Sequence, residues 1–301
     1  MNVADSGAAA APGRPKQGTA PSGGSAAHEV ASVGAIRWPA EAIWEAVVAD
    51  LPGFTIEVLP QIDSTNTELM RRARAGHLEP VLLVAEQQTA GRGRLGRQWF
   101  SGAETSGGTT TSSLTFSLGL PLAPRDWSGL SLAVGVSVVQ SLHPDLRLKW
   151  PNDIWLNDCK LAGILIETAN VGDNPGARYA VVGVGINIKA RDATGLATPP
   201  AWLQEVLPGI DAPQALLRIA APLVQAIKAF EAHGFAPFQT RFNDRDALGG
   251  LTVTLSDGTS GIARGVDGVG ALQVQTTHGL QKISSSEVSV RPLAPPPYAH
   301  L

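Results

Sequence analysis

Along this chain the apolar positions fall into short runs whose period switches between two and 3.6, as expected of a protein that mixes strands with helices. Ile43, Trp44, Val47 and Val48 follow Pro39 at helical spacing, and Pro52-Gly53 closes that helix. Phe54 to Leu59 alternates as a strand, Thr65 to Ala75 reads as a helix, and Val81 to Ala85 as a short apolar strand. Leu114, Phe116 and Leu118 alternate, which predicts a half-buried strand. Leu130, Ala133, Val134, Val138 and Leu142 then recur as the stripe of a core helix. Leu146, Leu148 and Trp150 alternate. Ile154 to Leu156, an Asn157-Asp158 turn and Leu161 to Ile166 predict a hairpin, and Tyr179 to Ile188 another strand. Leu216, Ile219, Leu223, Ile227 and Phe230 form a helical stripe ended by Gly234. Pro222 inside it is expected to kink the helix or to mark its true start.

From Leu251 onward the texture changes to short alternating runs cut by Asp257-Gly258, Asp267-Gly268 and His278-Gly279. That spacing predicts a small β-barrel or sandwich of about 45 residues. The expected organisation is a mixed α+β domain over 36–248, a small β domain over 250–293 and a tail over 294–301. Ala, Gly, Ser and Pro supply 23 of the first 35 residues, with no apolar period, so 1–35 is expected to be disordered. Gly102 to Thr111 reads as a flexible Gly/Ser/Thr loop.

Hydrophobic residues make up 44% of the 301 and charged residues 16%, enough to build a large core. The net charge of -3 gives no global attraction to nucleic acid or anionic lipid, so any anion binding requires a local cluster. Cys159, the one cysteine, excludes an internal disulfide and a cysteine-based zinc site. No apolar run approaches the roughly 20 residues of a membrane span. A soluble, cytoplasmic protein without membrane or DNA partners is expected.

A local cluster exists in Gly91-Arg92-Gly93-Arg94-Leu95-Gly96-Arg97-Gln98-Trp99, where no acid interrupts Gln87 to Ala103. Glycines allow backbone approach and guanidinium groups offer paired donors to phosphate or carboxylate. A solvated basic loop or an RNA-touching arginine-glycine tract fits the same residues. Trp99-Phe100 directly after it favours a loop folded over a ligand, because aromatics are rarely left in solvent. Lys149-Trp150-Pro151-Asn152-Asp153 precedes Lys160-Leu161-Ala162-Gly163-Ile164-Leu165-Ile166-Glu167, and the hairpin would bring Lys160 close to Asp153. Such a pair suits phosphate chemistry or proton transfer, and equally a surface salt bridge at a hairpin mouth. Gly183-Val184-Gly185-Ile186-Asn187 offers backbone room for a flat ligand or close packing against a neighbour. Asp63-Ser64-Thr65-Asn66 reads as an N-cap ahead of a helix. No Walker pattern occurs.

Taken in order, Asp63–Asn66, Gln88–Ser101, Lys149–Glu167 and Gly183–Asn187 resemble the biotin–protein ligases, over about 62–292 and including Gly261-Ile262-Ala263-Arg264-Gly265. The resemblance implies an α+β fold, a mixed β-sheet catalytic domain packed with helices plus a small C-terminal SH3-like β-barrel. It implies that ATP, as its Mg²⁺ complex, and biotin give biotinyl-5′-AMP, and that a lysine of a biotin carboxyl-carrier protein, as in acetyl-CoA carboxylase, then takes the biotin. Ser64, Thr65, Asn66, Gln88, Gly91, Arg92, Gly93 and Arg94 would line the biotin site, and Lys160 would lie between the carboxylate and the α-phosphate. Trp99 would close the adenylate pocket, and Asn152 would contact the nucleotide. Gly163, Gly183 and Gly185 would leave space, with Asn187 beside them and Arg291 as a contact from the C-terminal domain. Asp153 would act as base or orient the incoming amine, with Lys160, Arg92 and Arg94 as the other catalytic groups. No metal ligand is assigned to a side chain. Some family members carry an N-terminal DNA-binding domain; the residues before Ile36 are not expected to form one. A lipoate or octanoyl ligase or transferase and a non-catalytic biotin sensor are the competing readings, and a homodimer is left open.

Overall fold

The period-two stretches assemble into two sheets. The computed structural model describes residues 36–101, 111–171, 176–191, 198–256, 258–284 and 290–292. The expectations for 1–35, for nearly all of the Gly102–Thr111 loop and for 294–301 fall outside these residues. In chain order the elements are α1 (Ala40–Val47), β1 (Thr55–Ile62), α2 (Thr65–Arg74), β2 (Val81–Gln88), β3 (Ser113–Leu122), α3 (Leu130–Leu142), β4 (Arg147–Lys149), β5 (Asp153–Leu156), β6 (Cys159–Asn170) and β7 (Arg178–Asn187). They continue with α4 (Ala212–His233), α5 (Gln239–Asn243), β8 (Thr252–Leu255), β9 (Ser260–Val266), β10 (Leu272–Thr276), β11 (Gly279–Ile283) and β12 (Val290–Pro292).

The large sheet has seven strands in the order β1-β2-β3-β7-β6-β5-β4. β1 and β2 are parallel and the other neighbours antiparallel, so the sheet is mixed. The C-terminal sheet is antiparallel, ordered β11-β10-β9-β8-β12, and forms the SH3-like β domain. Each helix takes a side. α3 and α4 pack together on one face of the large sheet, whereas α2 lies across β2, β3, β6 and β7.

β3 shows how one strand serves both faces. Leu114, Phe116, Leu118 and Leu120 enter the main core, while Ser113, Thr115 and Ser117 alternate with them and are also buried. The strand is therefore buried on both sides, not half-buried, because α2 covers part of its polar face. The Asn157-Asp158 turn has φ 49° and 59°, the left-handed pair that a two-residue hairpin requires.

α4 begins at Ala212, with Asp211 Oδ1 accepting from the Gln214 N–H at 2.8 Å, and it runs through Pro222 without ending. The proline thus does not mark the start. An internal proline costs about 3 kcal/mol. Burial of Leu216, Ile219, Leu223, Ile227 and Phe230 returns roughly 1.5–3 kcal/mol each and outweighs it.

The two sheets meet through named contacts. Trp150 Nε1 donates to Gly270 O at 3.1 Å, and the Val266 N–H donates to Asn243 Oδ1 at 2.9 Å. Gly270 approaches Gly129 so closely that an added Cβ would stand 2.9 Å from the Gly129 Cα. In the crossing between them, Asp246 Oδ1 accepts from the Leu248 N–H at 2.9 Å, while Oδ2 is sealed from solvent without a partner.

Burial pushes the Asp246 carboxyl up to about 6 from its ordinary 3.8. Between these values the folded chain holds a proton that the unfolded chain has released, so stability falls as pH rises through this window. Asp246→Asn is expected to raise stability at pH 7–8 by about 1–2 kcal/mol, less than full linkage because its amide keeps an unpaired donor. Urea unfolding at pH 4, 6 and 8 checks this, and the gain should vanish toward pH 4.

Candidate functional site

A cavity of about 140 Å³ opens on the α2 side of the large sheet. Its floor follows from register. Ala85, Thr115, Gly185, Gly163 and Asp153 are successive cross-strand partners over β2, β3, β7, β6 and β5. Leu83, Ser117, Gly183 and Leu165 form the next row. Side chains of one row share a face, so the two glycines of β7 leave a depression between polar β3 and the Lys160 hairpin. A Cβ at Gly183 would collide with Asn66 Oδ1, and one at Gly185 with the Trp99 indole. At Gly163 a Cβ would meet Lys160 Nζ at 3.5 Å, an ordinary contact.

One wall comes from the start of α2. Ser64 caps that helix, its Oγ accepting from the Thr67 N–H at 3.4 Å. Asp63 fixes the turn by accepting from the Ser64 N–H at 2.7 Å and from Arg71 at 2.7 Å, and the Arg71 guanidinium holds its carboxyl below the usual range. Thr65 N donates to Gln88 Oε1 at 2.8 Å. Ser117 Oγ donates to Asn66 Oδ1 at 2.6 Å, and Asn66 Nδ2 donates to Glu167 Oε2 at 3.0 Å. These buried polar groups are largely spent on one another, which fixes their orientation.

The arginine-glycine loop forms the opposite wall. Its base is closed by Ser101, whose Oγ accepts from the Gln88 N–H at 2.7 Å and donates to Gln88 O at 3.1 Å. Trp99 N donates to Gly91 O at 2.9 Å and Gly93 N to Arg97 O at 2.7 Å, so the loop doubles back. Leu95 takes φ 55° at its tip. Arg92 pairs with Glu167 at 3.0 Å, and Arg94 Nη1 donates to Asn152 Oδ1 at 3.0 Å. Burial pulls the Arg94 pKa down, opposed by nearby Asp153 and aided by Arg97. Arg94 Nη2 and Trp99 Nε1 are buried without hydrogen-bond partners.

At the hairpin, Lys160 Nζ lies 2.7 Å from Asp153 Oδ1. A second, more open cleft of about 770 Å³ continues past Arg94 and Asn152 toward the N-terminus of α3 and Gly270. Four cations, Arg92, Arg94, Arg97 and Lys160, thus line a cavity next to a larger cleft. Together they can gather a carboxylate and a phosphate that would otherwise repel.

Residues 58–187 match the biotin/lipoate A/B protein ligase family, and residues 251–291 match the biotin protein ligase C-terminal domain. Over 258 residues the chain is 36% identical to the bifunctional ligase/repressor BirA of Escherichia coli, covering 81% of this chain and 77% of that one. It is 34% identical over 250 residues to the biotin–[acetyl-CoA-carboxylase] ligase of Paracoccus denitrificans, spanning 77% of this chain and 98% of that protein. The chain belongs to the biotin protein ligase family. Among solved structures, the Aquifex aeolicus biotin protein ligase in complex with biotin and ATP superposes with a TM-score of 0.64 at 27% identity, covering 79% of this chain and 99% of that one.

Of the ligase-family residues named from sequence, Ser64, Thr65, Asn66, Gln88, Arg92, Gly93, Arg94, Trp99, Asn152, Asp153, Lys160, Gly163, Gly183 and Gly185 line the cavity. Gly91 and Asn187 do not. A Cβ at Gly91 would strike Trp99 O, so that glycine folds the loop. Asn187 Nδ2 donates to Ala201 O at 2.9 Å and Lys160 O at 3.3 Å, bracing backbone. The Arg291 side chain lies outside the described residues; its backbone pairs with Thr254. Phe100 is 55% exposed, so of the two aromatics Trp99 alone turns inward. Lys149 stands over the Trp155 ring, 4.8 Å from its centroid.

Sequence reading overlooked Thr115 and Ser117, although their alternation with the leucines of β3 was visible. Glu167 ends the apolar run of β6 with no sequence pattern that assigns it a partner, and Arg191 carries no local signal. Gly183→Ala and Gly185→Ala are each expected to destabilise by about 1–3 kcal/mol, and Gly163→Ala by well under about 1 kcal/mol. Urea unfolding of the three variants checks the floor argument, which equal losses would contradict.

Proposed function

We propose that this chain activates biotin with ATP to biotinyl-5′-AMP and then transfers biotin to one lysine of a biotin carboxyl-carrier protein, in the cytoplasm. The carrying observation is the convergence of Arg92, Arg94 and Lys160 on a glycine-floored cavity, with Arg94 Nη2 buried and unpaired. The biotin and ATP named for the Aquifex aeolicus structure support the same substrates here. The C-terminal domain match favours biotin over lipoate.

In this reading the flat ring system lies in the cavity beside Asn66 and Trp99, which cover Gly183 and Gly185, and its polar edges meet Ser64, Thr65, Asn66 and Gln88. The biotin carboxylate points toward Arg92 and Lys160. A carboxylate oxygen attacks the α-phosphorus and pyrophosphate leaves; fixed cations offset the negative charge that accumulates. Arg94 and Asn152 stand where the cavity opens into the larger cleft, which has room for the nucleotide. The product is a mixed anhydride that water destroys, so Trp99 and its loop serve to exclude solvent. In the second half-reaction the carrier amine attacks the acyl carbon and AMP leaves. Asp153, released as Lys160 turns to the phosphate, accepts the amine proton or orients the amine.

Among the described residues no group of three or more His, Cys, Asp or Glu side chains forms a metal nest. Mg²⁺ is assigned to the phosphates of its ATP complex, where it would supply charge neutralisation; no side chain is given to it. The proposal gives the chain no repressor role. β1 is an outer strand of the large sheet, a template for a carrier strand or a second copy.

Intact mass of a carboxyl-carrier domain after incubation with the chain, biotin, ATP and Mg²⁺ tests the whole reading. One added biotin, dependent on ATP and on the acceptor lysine, is expected; an unmodified carrier with no biotinyl-AMP formed would refute it. Lys160→Ala should slow adenylate formation about 10²–10³-fold. Asp153→Asn should still form adenylate yet transfer it at least about tenfold more slowly. Loss of adenylation in Asp153→Asn would move Asp153 to the nucleotide side.

A further inference from the structure

We propose that Arg191 is a positioning residue that holds the Trp99 lid on the glycine floor and couples it to the strand carrying Lys160. The inference deepens the ligase reading and rests on it for its consequence, though not for its geometry. Arg191 follows β7 and sits outside the cavity. Its guanidinium lies 5.8 Å from the centroid of the Trp99 ring. Its Nη1 donates to Phe100 O at 3.2 Å and to Asn187 Oδ1 at 2.9 Å. A planar guanidinium can stack on an indole while its edge serves two oxygens, which an ammonium cannot do equally well.

The Asn187 end of this contact is rigid. Asn187 is 2% exposed, and its amide nitrogen is committed to Lys160 O and Ala201 O. The Lys160 backbone is itself clamped, its N–H donating to Pro199 O at 2.9 Å and its O accepting from Ala201 N at 2.9 Å. Arg191 therefore adds a link at the Trp99 end of the loop to those made by the Arg92–Glu167 pair and the Arg94–Asn152 bond. The loop base is closed at Gln88 and Ser101, whereas Lys160 is fixed through Asn187. Burial lowers the Arg191 pKa, so the structure spends free energy to keep this cation where it is.

Trp99 covers Gly185, and the loop arginines are carried on the same hairpin. Freeing the indole from Arg191 should let the lid open more often without moving Lys160. The reaction step that suffers is retention of biotinyl-5′-AMP, not its formation.

The test compares the full chain with Arg191→Ala, Arg191→Lys and Arg241→Ala, the last removing a guanidinium stacked 4.6 Å from Phe238 away from the site. Release of biotinyl-AMP, followed by chase, is expected to quicken about tenfold in Arg191→Ala, with kcat for transfer at saturating biotin within about twofold. Arg191→Lys should fall between, and Arg241→Ala should match the unsubstituted chain. Limited trypsin digestion without ligand should cut after Arg92, Arg94 or Arg97 several-fold faster in Arg191→Ala. Unchanged release with unchanged trypsin cleavage would overturn the proposal. So would a fall in Tm accompanied by parallel losses in adenylation, release and transfer, since that pattern marks a general structural role. If the unsubstituted chain makes no adenylate, the ligase reading fails, and the trypsin comparison alone still decides on Arg191.

Discussion

In β7 two positions lack side chains, and antiparallel pairing sets them opposite hydroxyl residues of β3, Gly183 against Ser117 and Gly185 against Thr115. This register is the constraint from which the site follows. Because side chains alternate, β3 and β7 can send Leu114, Phe116, Val182 and Val184 into the main core while their other faces stay low. A slip by one residue would place leucine and valine on the floor and bury hydroxyls in the apolar core. The core thus enforces the cavity. Asn66 and Trp99 then settle on the two glycines, where no Cβ obstructs them.

Charge is arranged by convergence, not by composition. The chain carries a net charge of -3, yet Arg92 and Arg94 from the loop meet Lys160 from the β5–β6 hairpin. Each cation is already addressed: Arg92 by Glu167, Lys160 by Asp153, Arg94 by Asn152. Such partners hold side chains in place without a ligand and can be exchanged for anionic oxygens when one arrives. Arg94 is the uneven member, since its partner is neutral and one of its nitrogens has none. A desolvated, under-satisfied guanidinium is a costly group to keep, and that cost is recovered when an anion binds.

The C-terminal domain bears on this centre through a few contacts of small residues and one indole. Trp150, beside the Asn152-Asp153 pair, reaches across to Gly270, and Gly270 sits against Gly129 at the start of α3. The larger cleft borders this junction. Its shape therefore depends on how the second domain docks, which connects that domain to nucleotide accommodation under the proposed function.

Much of this was legible in the chain. Periods and apolar runs marked β1 through β7 and α1 through α4, the Asn157-Asp158 turn fixed the hairpin, and the arginine-glycine run with Lys160 and Asp153 marked the cavity lining, because these features depend on neighbours within a few residues. Other features were set by partners distant in sequence. β3 is buried on both faces because α2 lies over it, and α4 tolerates Pro222 because its apolar stripe has a core to enter. Asn187 braces the Lys160 backbone instead of lining the cavity, and Phe100 turns outward while Trp99 turns in. Local sequence prescribes backbone preference and residue chemistry. Which buried groups meet, and which arginine stands over which ring, is decided when strands far apart in the chain take one register and close a single core.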